Sequence, residues 1–148
     1  MFKPTRILVP TDMSDHSLRA IRLGIDIASN YDAKFFLLHV MSSPAQGCVF
    51  DYCPDDTLVE SLKVEMLESA RKGMLQQLSI FPWIDVTKVS IEIRAGVPHE
   101  EIINAVEDFG INLIVITSLG ATGLAKYLMG GVARQVLLRA NCSVLLAK

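Results

Sequence analysis

The hydrophobic residues of this chain follow two alternating patterns. Short, nearly continuous apolar runs, typical of strands buried on both faces, alternate with longer stretches in which apolar residues recur every three or four positions, as on an amphipathic helix. The apolar runs predict five strands, at residues 7–9, 34–41, 89–94, 113–117 and 143–147. The run at residues 35–38 shows no alternation with polar residues, so we expect both faces of its strand to be covered.

The stretches between these runs predict four helices. The first has about 15 residues by its periodicity. The second, residues 57–81, is the longest, and Gly73 within it costs about 1 kcal/mol relative to alanine. Its apolar stripe consists of Leu58, Leu62, Met66, Ala70 and Met74, widened by Leu67, Leu75 and Leu78. The third helix begins at Pro98 and ends near Gly110, and the fourth runs from Val132 to Ala140.

The alternation of strands and helices predicts an α/β fold. Because each helical crossover returns the chain to the same edge, successive strands run parallel, and an open doubly wound parallel sheet with helices on both faces follows. Ligands of such sheets bind outside the carboxyl ends of the strands, where the strand order reverses. The residues that the sequence places at this edge are Asp12, Val40, Met41, Gly96 and 117–120.

A glycine-containing segment near the C-terminus has the layout of a phosphate-binding turn. Thr117-Ser118-Leu119-Gly120 follows the fourth strand, and after nine residues Gly130, Gly131 and Val132 open the last helix. The unpaired N–H groups at a helix start, together with the positive end of its dipole, favour anions. The sequence therefore predicts an anion site in this crevice.

Composition and charge narrow the classes of function. With 148 residues, 51% of them hydrophobic, one domain over residues 1–148 is expected. The net charge of −2, with 14 basic and 16 acidic residues, indicates neither nucleic acid nor a membrane surface as a partner. The apolar runs are far shorter than the roughly 20 residues of a membrane span. The N-terminus lacks a signal-peptide pattern, so a cytoplasmic location is the expectation.

The three cysteines are interpreted as ordinary free thiols, without a disulfide, metal or redox role. Cys48 and Cys53 are separated by four residues in one predicted loop, where the neighbouring aspartates are hard donors poorly matched to thiolates in a metal site. Cys142 begins an apolar run and is expected to pack in the core. The long loop at residues 42–56 is interpreted either as a lid over the crevice, with Phe50 and Tyr52 covering a ligand or a neighbouring subunit, or as a plain connection.

Four motifs in order resemble the universal stress protein family over nearly the whole chain. They lie at residues 7–12, 38–40, 96–102 and 120–133. The resemblance implies a sheet of order 3-2-1-4-5, a homodimer through the terminal strand at residues 142–148, unknown protein partners and a stress-response role. In its ATP-binding members the residue at Asp12 contacts the nucleoside, and the backbone at Val40 reads the adenine edge. ATP or AMP, with Mg²⁺ as a further expectation, is the implied ligand.

The binding residues that the resemblance and the edge argument assign are Pro10, Thr11, Asp12, Val40, Met41, Thr117, Ser118, Gly120, Gly123, Gly130, Gly131 and Val132. Two of the four family signature positions differ here. Gly131 replaces a serine or threonine and so loses a phosphate donor worth about 1.5–3 kcal/mol. Thr117 replaces a glycine, adding a branched side chain whose hydroxyl could bond a ribose oxygen. Lys126 could reach the phosphates as a point charge.

Several alternatives remain open at this point. Asp12 could be only a cap of the first helix, and His39 is interpreted as a strand histidine whose hydrogen bonds are satisfied. Gly130 and Gly131 could serve only to relieve crowding where the fourth helix packs on the sheet. The sequence has no P-loop, no dinucleotide fingerprint and no nucleophile elbow, and at most slow ATP hydrolysis is expected. Two functions compete: a nucleotide-sensing stress module, and a dimeric interaction protein of the same family that does not bind nucleotide.

Overall fold

The computed structural model of the 148-residue chain describes residues 1–41, 55–119 and 130–148. Its strands and helices are β1 (Arg6–Pro10), α1 (Ser17–Tyr31), β2 (Lys34–Met41), α2 (Asp56–Ser79), β3 (Val89–Ala95), α3 (Pro98–Phe109), β4 (Leu113–Thr117), α4 (Gly131–Arg139) and β5 (Ser143–Ala147). A short 3-10 helix, Val86–Lys88, precedes β3. The predicted elements are confirmed within this part of the chain. Of the predicted loop at residues 42–56, residues 42–54, with Cys48, Phe50, Tyr52 and Cys53, lie outside the described residues, as do Gly120, Gly123 and Lys126, and Asp56 already begins α2.

The five strands form one parallel sheet of order β3-β2-β1-β4-β5, which confirms the predicted topology. The chain first builds outward from the central strand β1 through β2 to β3. It then crosses back to place β4 on the other side of β1, with Ile7 opposite Leu113 and Leu8 opposite Ile114. The strand order therefore reverses between β1 and β4. That gap is where such a sheet leaves a crevice at its carboxyl edge.

Successive residues of each strand contribute alternately to two separate hydrophobic cores, one on each face of the sheet. Ile7 and Val9 point into the layer formed with α1 and α2, whereas Leu8 between them points into the layer formed with α3 and α4. All three side chains are fully buried. This two-residue alternation explains why the strand sequences are apolar throughout, because each face of the sheet is covered by helices.

Against the described residues, helix α2 packs only along its C-terminal half, so the predicted apolar stripe is buried in part. Ala70, Met74 and Leu78 are buried, whereas Leu58 and Leu62 are 52% and 40% exposed. The lengths explain the difference, since 24 residues of helix span about 36 Å and the seven residues of β3 about 23 Å. The helix extends past the end of the sheet that it covers.

Cys142 packs beside the core formed with α3 and α4, as the sequence predicts. Partial burial of its thiol raises the pKa of Cys142 above the ordinary value, because the thiolate is poorly solvated there. Within the described ranges, no helix is both long enough and apolar enough to cross a membrane.

Candidate ligand-binding site

A cavity of about 330 Å³ opens at the carboxyl edge of the sheet, where the strand order reverses. The ends of β1, β2 and β4 form its floor, and the first turns of α3 and α4 flank it. Its lining residues are Pro10, Thr11, Asp12, Ser17, Leu38, His39, Val40, Pro98, Ile102, Ile116, Thr117, Leu119, Gly130, Gly131, Val132 and Ala133. The walls are mainly apolar, and polar groups come from the turns at the strand ends.

The turn after β1 presents Asp12 at the mouth of the cavity. Thr11 is still held to β2, since its N–H donates to the Leu38 carbonyl at 2.8 Å. Asp12 Oδ1 accepts from both the N–H of Ser14, at 3.0 Å, and the Ser14 hydroxyl. Helix α1 starts only at Ser17 and has no side-chain cap. Asp12 therefore caps its own turn and does not cap the helix.

The end of β2 supplies one wall of the cavity. His39 Nδ1 donates to the Thr11 carbonyl at 2.8 Å, because a carbonyl can only accept, and this bond ties β2 to the turn after β1. His39 is thus a satisfied strand histidine, as the sequence predicts. Val40 lines the cavity, whereas Met41 is buried and does not.

The segment after β4 closes the opposite wall. The Thr117 hydroxyl donates to the Leu119 carbonyl at 2.8 Å, which holds the beginning of the turn. The N–H of Gly130 donates to the Ser118 carbonyl at 2.7 Å, and this bond brings the start of α4 directly beside the end of β4. Ser118 itself lies outside the cavity lining. The two ends of the glycine segment are therefore neighbours.

The two helices that begin at the cavity differ in electrostatics. Helix α3 starts with Pro98, which has no N–H, and carries Glu100 and Glu101 in its first turn, so its positive end is already offset. Helix α4 has no acidic residue in its first turn, and its first bonded N–H is that of Arg134, which donates to Gly130 at 3.0 Å. The N–H groups of residues 131–133 precede that bond and have no intrahelical partner. An anion is therefore favoured at α4.

Gly131 has free space around it. A Cβ added there would meet no atom within 4 Å in the described part of the chain, and the residue is exposed. The crowding explanation is therefore wrong for Gly131. Packing against the described residues does not require a glycine at this position.

The cavity brings together most of the residues singled out from sequence. They are Pro10, Thr11, Asp12, Val40, Thr117, Gly130, Gly131 and Val132. The apolar wall residues Leu38, Ile102 and Ile116 were not among them. Nothing in their local sequence separates them from core residues, because only the mutual placement of β2, α3 and β4 aims them into a cavity.

The geometry defines an α/β protein with a doubly wound parallel sheet and a cavity at its switch point. The sequence model of the Universal stress protein family matches residues 3–148, so the chain belongs to that family. It is similar to universal stress protein MJ0531 of Methanocaldococcus jannaschii, with 33% identity over 151 residues that cover 97% of this chain and 81% of that protein. Universal stress protein YxiE of Bacillus subtilis is 28% identical, with coverage of 97% and 98%.

Solved structures show the same fold. Universal stress protein UspA of Lactobacillus plantarum superposes with a TM-score of 0.81 at 23% identity, covering 100% of both chains. A universal stress protein in complex with cAMP has a TM-score of 0.66 at 20% identity, covering 98% of this chain and 97% of that one. The universal stress protein of Archaeoglobus fulgidus in complex with dAMP has a TM-score of 0.65 at 20% identity, covering 99% and 100%.

Proposed function

We propose that this protein is a stress-response regulatory module that binds an adenine nucleotide, ATP or AMP, in the cavity at the carboxyl edge of the sheet. The observation that carries the proposal is the unneutralised start of α4, which borders a mainly apolar cavity. The N–H groups of this helix start suit phosphate, and the apolar walls suit a base. Occupancy would then alter the surrounding loops and the choice of protein partner.

The charges in the cavity set the orientation of the nucleotide. The phosphates belong at Gly130 and Gly131, where the helix dipole is favourable. The Asp12 carboxylate would repel them, so it faces the ribose or the adenine, or meets the phosphates only through Mg²⁺. The base lies against the apolar wall that Val40 and Ile102 form, with the backbone at Val40 along its edge. The cAMP and dAMP bound by two proteins of the same fold support an adenine nucleotide as the ligand class.

Thermal unfolding with and without ligand tests this proposal. A nucleotide at about 100 times its Kd stabilises the folded chain by ~2.7 kcal/mol, which for a chain of this size raises Tm by roughly 5–10 °C. The series is ATP, ADP and AMP, each with and without Mg²⁺, and inorganic tripolyphosphate serves as the control for phosphate binding alone. We expect a shift with a nucleotide and a smaller one with tripolyphosphate. The absence of any shift at millimolar nucleotide would refute the proposal.

We also propose that the protein forms a homodimer through its terminal strand, residues 142–148. In the described sheet β5 pairs with β4 on one side only. An edge strand of this kind can pair with its own copy about a two-fold axis. The strand also exposes an apolar side chain, since Leu145 is 38% exposed. A dimer would cover this apolar surface.

A further inference from the structure

Three buried polar side chains lie together beneath the turn that carries Asp12. Thr11, Ser17 and Gln77 are 5%, 1% and 7% exposed, and they come from directly after β1, the start of α1 and the last turn of α2. Buried polar groups persist in proteins only when their hydrogen bonds are satisfied. No described buried side-chain nitrogen or oxygen lacks a partner. A fully satisfied network of this kind specifies one arrangement of the backbone around it.

Gln77 uses both halves of its amide in this network. Its Nε2 donates to the Ser14 carbonyl at 3.2 Å and to the Ser17 hydroxyl at 2.9 Å. Its Oε1 accepts from the Thr11 hydroxyl at 2.6 Å, and the same Thr11 oxygen accepts from the N–H of Met13 at 3.0 Å. One side chain therefore supplies two donors and one acceptor to a single turn. Neither a carboxylate nor an apolar residue could replace all three bonds.

Helix α2 meets the same turn at a second point. Met13 has a φ of 63°, an uncommon conformation for a residue with a side chain. A Cβ at Gly73 would lie 2.6 Å from Met13 Sδ, so the thioether occupies the space that this glycine leaves open. Gly73 and Gln77 are four residues apart and thus on one face of the helix. Gly73 weakens α2 locally, but its missing side chain leaves the space in which the Met13 side chain of the turn packs.

We propose that Gln77 is a positioning residue for the ligand site: through Thr11 and Ser14 it fixes the turn that presents Asp12 to the cavity. Ser14 is the residue that holds Asp12 Oδ1, and Thr11 and Ser17 line the cavity themselves. The geometry of the site around Asp12 is thereby set from α2, an element outside the cavity lining. The ligand part of this inference rests on the proposed nucleotide-binding function, and the structural part does not.

The structural part is tested in the ligand-free protein by amide hydrogen exchange of Gln77→Ala. Gln76→Ala is the matched control, since Gln76 is the preceding residue of the same helix and is exposed. Gln77→Ala removes three hydrogen bonds to the turn, so we expect the amides of Met13 and Ser14 to exchange at least about tenfold faster, because a local opening no longer has to break them. Amides of Leu8 and Val115 report the global stability for normalisation. Wild-type exchange at the turn in folded Gln77→Ala would overturn the proposal.

If Gln77→Ala does not fold, Gln77→Met keeps the volume and removes all three bonds. The Thr11 hydroxyl can then turn to the Ser17 oxygen, which lies 2.9 Å away. The same exchange comparison decides the question in that variant.

The ligand part is tested by calorimetric titration with AMP and 2′-deoxy-AMP. If Asp12 faces the ribose, the wild type and Gln76→Ala bind AMP more tightly than 2′-deoxy-AMP. Gln77→Ala then weakens AMP binding about tenfold more than it weakens 2′-deoxy-AMP binding, so the preference for AMP falls about tenfold. Unchanged affinity and unchanged preference in Gln77→Ala would overturn its positioning role. Failure of the wild type to bind any nucleotide would instead refute the proposed function, while the exchange experiment would still decide whether Gln77 holds the turn.

Discussion

Replacement of Gly131 by serine tests most directly whether phosphate binds at the start of α4. Gly131 is the first residue of that helix, it borders the cavity, and a Cβ there meets no described atom within 4 Å. The added side chain therefore has no steric cost from the described residues. Its hydroxyl lies beside the N–H groups that would hold the phosphate.

The expected gain follows from one hydrogen bond to a charged group. Such a bond contributes about 1.5–3 kcal/mol, which corresponds to roughly 10- to 150-fold in Kd. We expect Gly131→Ser to bind ATP with Mg²⁺ at least about tenfold more tightly than the wild type. Isothermal titration calorimetry measures this difference, with ATP, AMP and adenosine as ligands.

Two controls separate the hydroxyl from the other effects of the substitution. Gly131→Ala adds the Cβ alone, so it restricts the unfolded chain and stabilises the ligand-free protein by about 0.4–1 kcal/mol without a new donor. Adenosine has no phosphate, so its affinity should be the same in all three proteins. Equal ATP affinity in the serine and alanine variants would show that phosphate does not bind at this position. An equal gain for adenosine would show that the hydroxyl contacts another part of the ligand.

Two further predictions concern packing and assembly. Gly24→Ala should destabilise the fold by about 1–2 kcal/mol by overpacking, net of its helix-propensity gain, because the new Cβ would lie 2.6 Å from Val9 Cγ2 and 2.9 Å from Phe35 Cε2. Urea unfolding measures this, and stability at or above that of the wild type would contradict the packing. The Ala147 carbonyl accepts from Ser118 across the β4 side, so strand alternation turns the N–H of Val144 toward the free edge. Val144→Pro should therefore reduce the mass in light scattering from a dimer to the single-chain 16.3 kDa, whereas a wild-type mass of one chain would refute the dimer.

Local periodicity was sufficient to predict the elements. The run at Lys34–Met41 and the run at Leu113–Thr117 have the same bounds in the sequence prediction and in the structure. Their side chains are apolar on both faces, a pattern that neither an exposed strand nor an amphipathic helix shows. The parallel direction followed as well, because a helical connection returns the chain to the edge where it started. The order of the strands came from the family resemblance and is confirmed by the structure.

The site was predictable where a strand ends and where the glycine pair opens α4. Asp12, Val40 and Thr117 follow or end buried strands, so a parallel sheet must bring them to one edge. The wall residue Ile102 and the positioning residue Gln77 carry no such signal. A buried glutamine at a helical position reads as solvated until the partners that satisfy it are known.

The tertiary structure decided what depends on the relative placement of distant elements. Helix α2 was predicted as one amphipathic stripe, yet the sheet is too short to cover all of it, and Leu58 stays exposed while Met74 is buried. Gly73 could be judged from sequence only as a weak point of a helix. Its role appears when Met13, sixty residues earlier, adopts a positive φ and places its sulfur in the space that the glycine leaves open. The sequence determined which segments become strands and helices because those preferences act over a few residues, whereas burial and hydrogen bonding between segments exist only once the sheet sets the distances between them.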